Sequence, residues 1–355
     1  ETGGTVVLST DITTNTTLTA DKIYKIPRLK QLFVEPGATL TIEPGTVIQG
    51  GQGAVLVITR GAKIMAAGTK DKPIILTTDQ PDGMKTSGYW GGLLVLGAAP
   101  INVNVNSTPP ATEATFEAFT SAIPEGKFGG TNPADNSGVL KYVHIEFAGF
   151  NFVADREFNN LTLCGVGTGT TIDFVQVHGG SDDGVEFFGG TVNVKHIVSS
   201  QNGDDGFDTD NGWQGKGQFI VVQNVSPQGS VEASNGFESD NHATAASYEG
   251  SPSTQSVCCL ASRSALRAAH RRPGRAWACC QISAPCTRRR RSARAGIRAV
   301  APWTSASRWS TVSCAMVICG RWALDMQDAP VGAGPGPGNL EGKWVQVSPG
   351  AGSGQ

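Results

Sequence analysis

Short alternations of apolar and polar residues, each closed by Gly or Pro, set the rhythm of roughly the first 250 residues. "EPGATLTIEPGT" (35–46) and "TRGAKIMAAGT" (59–69) align with Gly37 over Gly61, a step of 24. Leu40 then falls on Ile64, and Gly45-Thr46 matches Gly68-Thr69 after a one-residue deletion. Runs of this kind between turn formers predict short strands. They continue at "KPIILTT", "GGLLVLG", "GVLKYVHIEFAG", "NNLTLCGVGTGTTIDFVQVHG", "GTVNVKHIVSS" and "GKGQFIVVQN". No amphipathic helix interrupts the series, which argues against βαβ folds, whose parallel strands need helical crossovers. A sandwich, a barrel or a solenoid remains. The repeated step with matching glycines selects the solenoid, an all-β right-handed parallel β-helix. Its coils stack at about 4.8 Å, and roughly ten of them fit this length, none able to bury its apolar face alone.

One polar motif recurs three times: "DDGVEFF" (182–188), "DDGFDTD" (204–210) and "SNGFESD" (234–240). Gly184 to Gly206 is a step of 22, one coil, and Gly206 to Gly236 is 30, a coil plus a bulge around "SPQGSVEA". Stacking places Glu186, Asp208 and Glu238 in one column, and Val185, Phe207 and Phe237 point the other way, into the core. Asp182/Asp183 and Asp204/Asp205 form a second column at the preceding turn, with Asp210 and Asp240 at the far ends of their motifs. Carboxylates about 5 Å apart raise one another's pKa unless a cation or hydrogen-bond donors compensate. Calcium, a hard ion taking six to eight oxygens, is the natural candidate cofactor. The competing reading has these acids capping turns and facing water. Neither the EF-hand register nor the nonapeptide G-G-x-G-x-D pattern fits. Tyr89 and Trp90 in "SGYWGG", and Trp213 farther on, are the aromatic candidates for a sugar-binding platform. Exposed, the first two stack on a sugar ring; buried, they plug a coil.

Composition divides the chain. Residues 1–256 hold 27 acids against 11 Lys and 3 Arg, whereas 257–355 hold 3 acids against 13 Arg and 1 Lys. From Val257 to Leu324 there is no Asp, Glu, Lys, Asn, Phe or Tyr, and all 14 Phe precede it. This is the signature of a GC-rich gene read out of frame, with the frame restored near Asp325. The expected domains are a β-helix over 1–256 with a loop insertion at 100–137, a non-native segment over 257–324, and a Gly/Pro-rich tail over 325–355. The insertion is Pro-, Thr- and Ala-rich, with a short helix expected near 112–120. Arg288–Arg291 therefore does not argue for nucleic acid, whose phosphates the acidic body repels. No apolar run approaches the roughly 18 residues of a membrane helix. With no initiator Met and no charged-then-apolar leader, a mature form or a fragment is expected.

Taken together, "LTIEPGTVIQG", "LVITRGAKIMAAGT", "GYWGGLLVLGAAPIN", "FGGTNPADNSGVLKYVHIEFAG", "DDGVEFFGGTVNVKHIV" and "SNGFESDN" resemble a family of secreted bacterial β-helix proteins. These are surface or lipid-anchored members of the pectin-lyase-like superfamily. The resemblance covers about residues 20–250 and implies export and a β-helix, with membrane association only through a lipid anchor. It implies no particular reaction. The first functional reading is thus a structural or binding module presenting an acidic face to a polysaccharide or cell-surface partner.

The second reading is a polysaccharide lyase or hydrolase. "NGDDG" is similar to the Asp pair of β-helix polygalacturonases, but their Gly-His-Gly and Arg-x-Lys elements are missing. Pectate lyases of this fold use an Arg base, and here Arg28, Arg60 and Arg156 all lie outside the acidic ladder. Lys195 and Lys216 are expected to be solvated. His144 and His196 are expected on surface faces of strands, and His178 and His242 beside the ladder. Cys164 is expected to be a buried small hydrophobe.

Overall fold

The computed structural model describes residues 3–103, 112–152, 158–224 and 236–239, and the backbone of two strands at 257–259 and 276–282. A first strand, β1 (Thr5–Val7), precedes the coils. The opening coil has an isolated bridge at Ile12, then β2 (Thr16–Leu18) and β3 (Ile23–Ile26). The next holds β4 (Gln31–Val34), β5 (Thr39–Ile42) and β6 (Val47–Gly50). It is followed by β7 (Val55–Ile58), β8 (Lys63–Ala67) and β9 (Ile74–Thr78). After β10 (Leu93–Leu96) the chain leaves on an excursion holding β11 (Ala114–Thr115) and β12 (Lys127–Phe128). It returns as β13 (Gly138–Glu146), then β14 (Leu161–Cys164) and β15 (Thr171–His178). The last described coils are β16 (Val185–Phe188) with β17 (Val194–Ser200), and β18 (Phe207–Asp210) with β19 (Gly217–Asn224). Two further strands, β20 (Val257–Cys259) and β21 (Ala276–Ile282), follow.

Every rung from β1 to β19 is parallel, apart from the antiparallel β11–β12 clasp. The result is a right-handed parallel β-helix with three faces. The first face runs β4, β7, β10, β14, β16, β18. The second runs β2, β5, β8 and the starts of β13, β15, β17 and β19. The third runs β1, β3, β6, β9 and the ends of those long strands. Leu40 pairs with Ile64, and Val185 with Phe207, as the step in the sequence requires. Phe207 is fully buried, and Phe237 stacks on it at 4.8 Å. The described coils number fewer than the ten expected, because excursions between coils consume chain that the simple period assigns to strands.

Alternation explains the core. Leu32, Leu56, Leu93, Leu161, Val185 and Phe207 form one inward column of the first face, each 1% exposed or less. Four long strands turn the corner between the second and third faces through a residue at positive φ: Tyr142, Phe174, His196 and Phe219. That left-handed conformation strains a side chain with a Cβ, and the four rings offset it by stacking at 4.6, 4.2 and 4.9 Å.

The excursion differs from expectation. Instead of a helix near 112–120, Phe116 and Phe119 turn inward, flanked by the β11–β12 clasp, and a single 3₁₀ turn follows at Pro124–Gly126. Both rings, with Phe128, pack on the outward side of the first face against Phe33, Val57, Leu94 and Phe188. An apolar outer face needed a cover, and the two rings supply it from an extended, turn-rich segment. Arg60 ties the cover down through Glu113 and the Gly129 carbonyl. Residues 104–111 of the insertion lie outside the described residues, as do 325–355 and most of 257–324. Beyond β19 the pairing turns antiparallel, β21 on β19 and β20 on β21.

Candidate functional site

The "D-D-G" turn links the third face to the first, and its three positions do different work. Gly184 and Gly206 turn inward, where a Cβ would collide with Ser199 and Val222 respectively. Only glycine lets the turn approach the third face so closely. The second acid is structural: Asp183 Oδ1 accepts the Asp205 N–H at 2.8 Å. One coil earlier Asn159 does the same for the Asp183 N–H, at 3.1 Å. A neutral amide therefore suffices for this ladder, and the carboxyls of Asp183 and Asp205 are more than it requires. Both residues are buried. The first acid of each pair, Asp182 or Asp204, and the strand acids Glu186, Asp208 and Asp210 are half-buried on the outward side.

Along the first face, one outward column reads Phe33, Val57, Leu94, Thr162, Glu186, Asp208. The excursion covers its apolar part, and the carboxylates begin where the cover ends. Carboxylate oxygens of Asp182, Asp183 and Asp204 lie within 4.8 Å of one another, and so do those of Asp183, Glu186 and Asp208. Asp183 belongs to both triplets. Burial pushes its carboxyl well above the usual range, and the carboxylates of Asp208, Asp182 and Asp205 add to the rise against the Asp205 N–H. Glu186 is likewise pushed up, by burial first, then by Asp183, Asp208, Asp182 and Glu117. Its partial exposure lets solvent screen some of that effect. Among the described residues, the neighbours that push these two carboxyls up are all carboxylates.

Asp208 and Asp210 each accept the next residue's backbone N–H, at 2.6 and 2.5 Å, and Asp210 stands outside both triplets. Glu238 is exposed, one rung on, its N–H bonded to the Phe207 carbonyl at 3.1 Å. It joins the column as the period required, but it too stands outside the triplets. Asp240 and His242 lie outside the described residues.

Two residues at the site were not singled out from sequence. Asn159 Nδ2 donates to Glu186 Oε2, so the ladder amide also grips the strand carboxylate. The step of 24 from Asn159 to Asp183 was the available signal. Glu117 reaches the site only because Phe116 and Phe119 dock the excursion, and nothing local in the sequence announces that.

The aromatic platform is not formed. Trp90 is fully buried, its Nε1 donating to the Glu146 carbonyl at 2.8 Å. Trp213 is 2% exposed, donates to the Val192 carbonyl at 3.2 Å and packs on Phe187. Both indoles plug the interior because an N–H carbonyl partner makes their burial inexpensive. Tyr89 is half-buried, and its phenol is pushed up by burial and by the neighbouring Asp79 carboxylate. His144, expected on a surface face, points outward yet is fully covered. His178 is buried on the third face and belongs to neither triplet. His196 is half-exposed and 2.7 Å from Asp173. Cys164 is buried and free, as expected.

A turn-and-strand array of this kind, on a three-faced coil, suits the pectate-lyase-like β-helix domain, whose family description matches residues 10–279. The chain belongs to that family. Neither the curated proteins nor the solved structures contain a significant match. Among the described residues no helix is long and apolar enough to cross a membrane.

Proposed function

We propose that this β-helix is a calcium-binding module of a secreted or cell-surface protein, whose acidic face meets a glycan or surface partner. The observation that carries the reading is Asp183. It caps a turn for which Asn159 shows an amide to be enough, yet it sets a buried ionisable carboxyl, pushed well above its usual range, among other carboxylates. A cation on the Asp182/Asp183/Asp204 or Asp183/Glu186/Asp208 oxygens would offset that repulsion. The donor set is all hard oxygen, which suits calcium rather than a thiophilic or imidazole-seeking metal. Bound there, calcium would pin neighbouring coils together and leave outward sites for carboxylate or hydroxyl oxygens of a partner. Export and lipid anchoring rest on the family resemblance alone.

The test is isothermal titration of the full chain with calcium and with magnesium. A saturable calcium response that Asp183→Asn weakens at least tenfold supports the reading. Heat no greater than for a buffer blank, with thermal unfolding equal in EDTA and in millimolar calcium, would overturn it. A second reading, a polysaccharide hydrolase or lyase, draws on the raised carboxyls of Asp183 and Glu186, since a carboxyl kept protonated near neutrality is what general acid catalysis needs. Release of reducing or unsaturated ends from acidic polysaccharides, lost in Glu186→Gln, would favour it.

A further inference from the structure

Three Asn-Gly pairs occur in the acidic part of the chain, at 202–203, 211–212 and 235–236, and the first two lie wholly among the described residues. An asparagine before glycine carries its own reaction partner. The glycine nitrogen, unhindered by a Cβ, reaches the side-chain amide carbon whenever the peptide between them turns. What holds the two groups in the fold decides whether it turns.

At Asn202 both groups are held. The residue is 1% exposed. Its Oδ1 accepts the Gly180 N–H at 3.0 Å and the Asn160 amide at 2.8 Å, and its Nδ2 donates to Ser199 Oγ at 2.7 Å. The Gly203 N–H donates to the Gly180 carbonyl at 2.9 Å. Bringing the nitrogen onto the amide carbon would break all four bonds.

Asn211 has the same glycine after it and the opposite surroundings. It follows β18 in a two-residue turn with Gly212, at φ +50 and +75. Positive φ at both central positions is the I′ pattern that an Asn-Gly pair favours. The bond across the turn, Trp213 N–H to the Asp210 carbonyl, is 3.3 Å long. Asn211 is half-buried. Its backbone is bonded, the N–H to Asp210 Oδ1 at 2.5 Å and the carbonyl to the Asn102 N–H at 3.1 Å. Among the described residues its side-chain amide forms no hydrogen bond, and neither does the Gly212 N–H. Turning this peptide gives up the Asn102 bond and the long one across the turn.

We propose that Asn211 is a self-modifying position, which deamidates in the folded protein and adds a carboxyl group to the acidic face. The Gly212 nitrogen attacks Asn211 Cγ. The N–Cγ bond forms, the Cγ–Nδ2 bond breaks, and the amide leaves as ammonia with the proton that the glycine nitrogen gave up. The cyclic imide then takes up one water and opens at either carbonyl, to an aspartyl or an isoaspartyl linkage. Water is the only co-reactant, and the half-buried side chain is open to it. Because the attacking nitrogen must shed its proton, the rate rises with pH. The new carboxylate follows Asp210 directly, where the chain leaves β18, and extends the run of acids on the first face. This chemistry is independent of whether the face binds calcium.

The test is to incubate the full chain at mildly alkaline pH, digest it after lysine, and locate the mass gain of deamidation within residues 196–216, which hold both pairs. In the folded chain Asn211 should react at least about tenfold faster than Asn202, since a bonded, buried group reacts only through local opening. In urea the two rates should converge, because only the fold separates them. Asn211→Gln should remove the gain at that position, a longer side chain closing the ring far less readily. Equal rates in the folded chain, or a faster gain at Asn202, would overturn the proposal. So would a folded Asn211 that stays unchanged while it reacts in urea, or a tenfold gap that persists in urea.

Discussion

At Asp183 two demands meet on one side chain, an acceptor for the next coil's N–H and a charge among charges. Asp183→Asn keeps the acceptor and removes the charge, so in EDTA it should be as stable as the parent or more so. Asp183→Ala leaves the Asp205 N–H without its acceptor and should cost about 1–3 kcal/mol. Urea unfolding of the two variants in EDTA separates these roles; equal losses would mean that the charge costs nothing. Gly206 makes the complementary case, since Gly206→Ala drives a methyl into Val222. Overpacking of this kind costs about 1–3 kcal/mol. Because Asp204, Asp205 and Asp208 flank the displaced turn, calcium affinity measured by titration should fall in the same variant.

Among the elements, the excursion between β10 and β13 does most to shape the site. Its aromatic hooks cover the apolar half of the first face's outer column, leaving the carboxylate half open with Glu117 beside it. Phe116→Ala should therefore raise protease cleavage within 112–131 several-fold, as each lost core ring costs about 3–5 kcal/mol of local packing. Arg60→Ala breaks a bridge between partly exposed side chains and should change cleavage far less. Limited proteolysis at matched temperature ranks the two. The β16–β18 rungs repeat without such help because each coil brings its own inward Val185 or Phe207 and its own glycine turn. That local sufficiency made the ladder legible from sequence. Glu117 was not legible, since its place depends on two phenylalanines docking on strands far along the chain.

For the whole molecule, pH acts through two opposed sets of groups. His144 and His178 are neutral when folded and are held at about 4. The stability they contribute is complete above the ordinary histidine value near 6.5 and is lost as pH falls toward 4, by up to about 1.4 kcal/mol per unit for each. Asp183 and Glu186 are raised, so without a cation they destabilise the fold as pH rises through their folded values. Calcium should reverse this second contribution, and protons compete with it. Thermal unfolding with and without calcium should therefore differ more at pH 7.5 than at pH 5; an equal difference would exclude these carboxyls as ligands. The composition break at Val257 belongs to the same scale. Reading the gene across codons 250–330 should return a frame that restores Asp, Lys and Phe at strand spacing, and an unchanged frame would refute that origin for the segment.

The coil, its period, the inward column through Leu40, Ile64, Val185 and Phe207, and the stacking of Glu186 on Asp208 were set by sequence alone. In a parallel solenoid neighbours in space are neighbours one step along the chain, so a periodic pattern is already a contact map. Three things were decided only by tertiary structure. The excursion folded onto the first face, Trp90 and Trp213 turned inward, and His144 and His178 were sealed beneath a cover. Each turns on what lies against an outward surface or fills an irregular gap, and such contacts join segments with no fixed spacing. A pattern of polar and apolar residues shows which side of a strand a residue takes; only the packed chain shows whether water waits there.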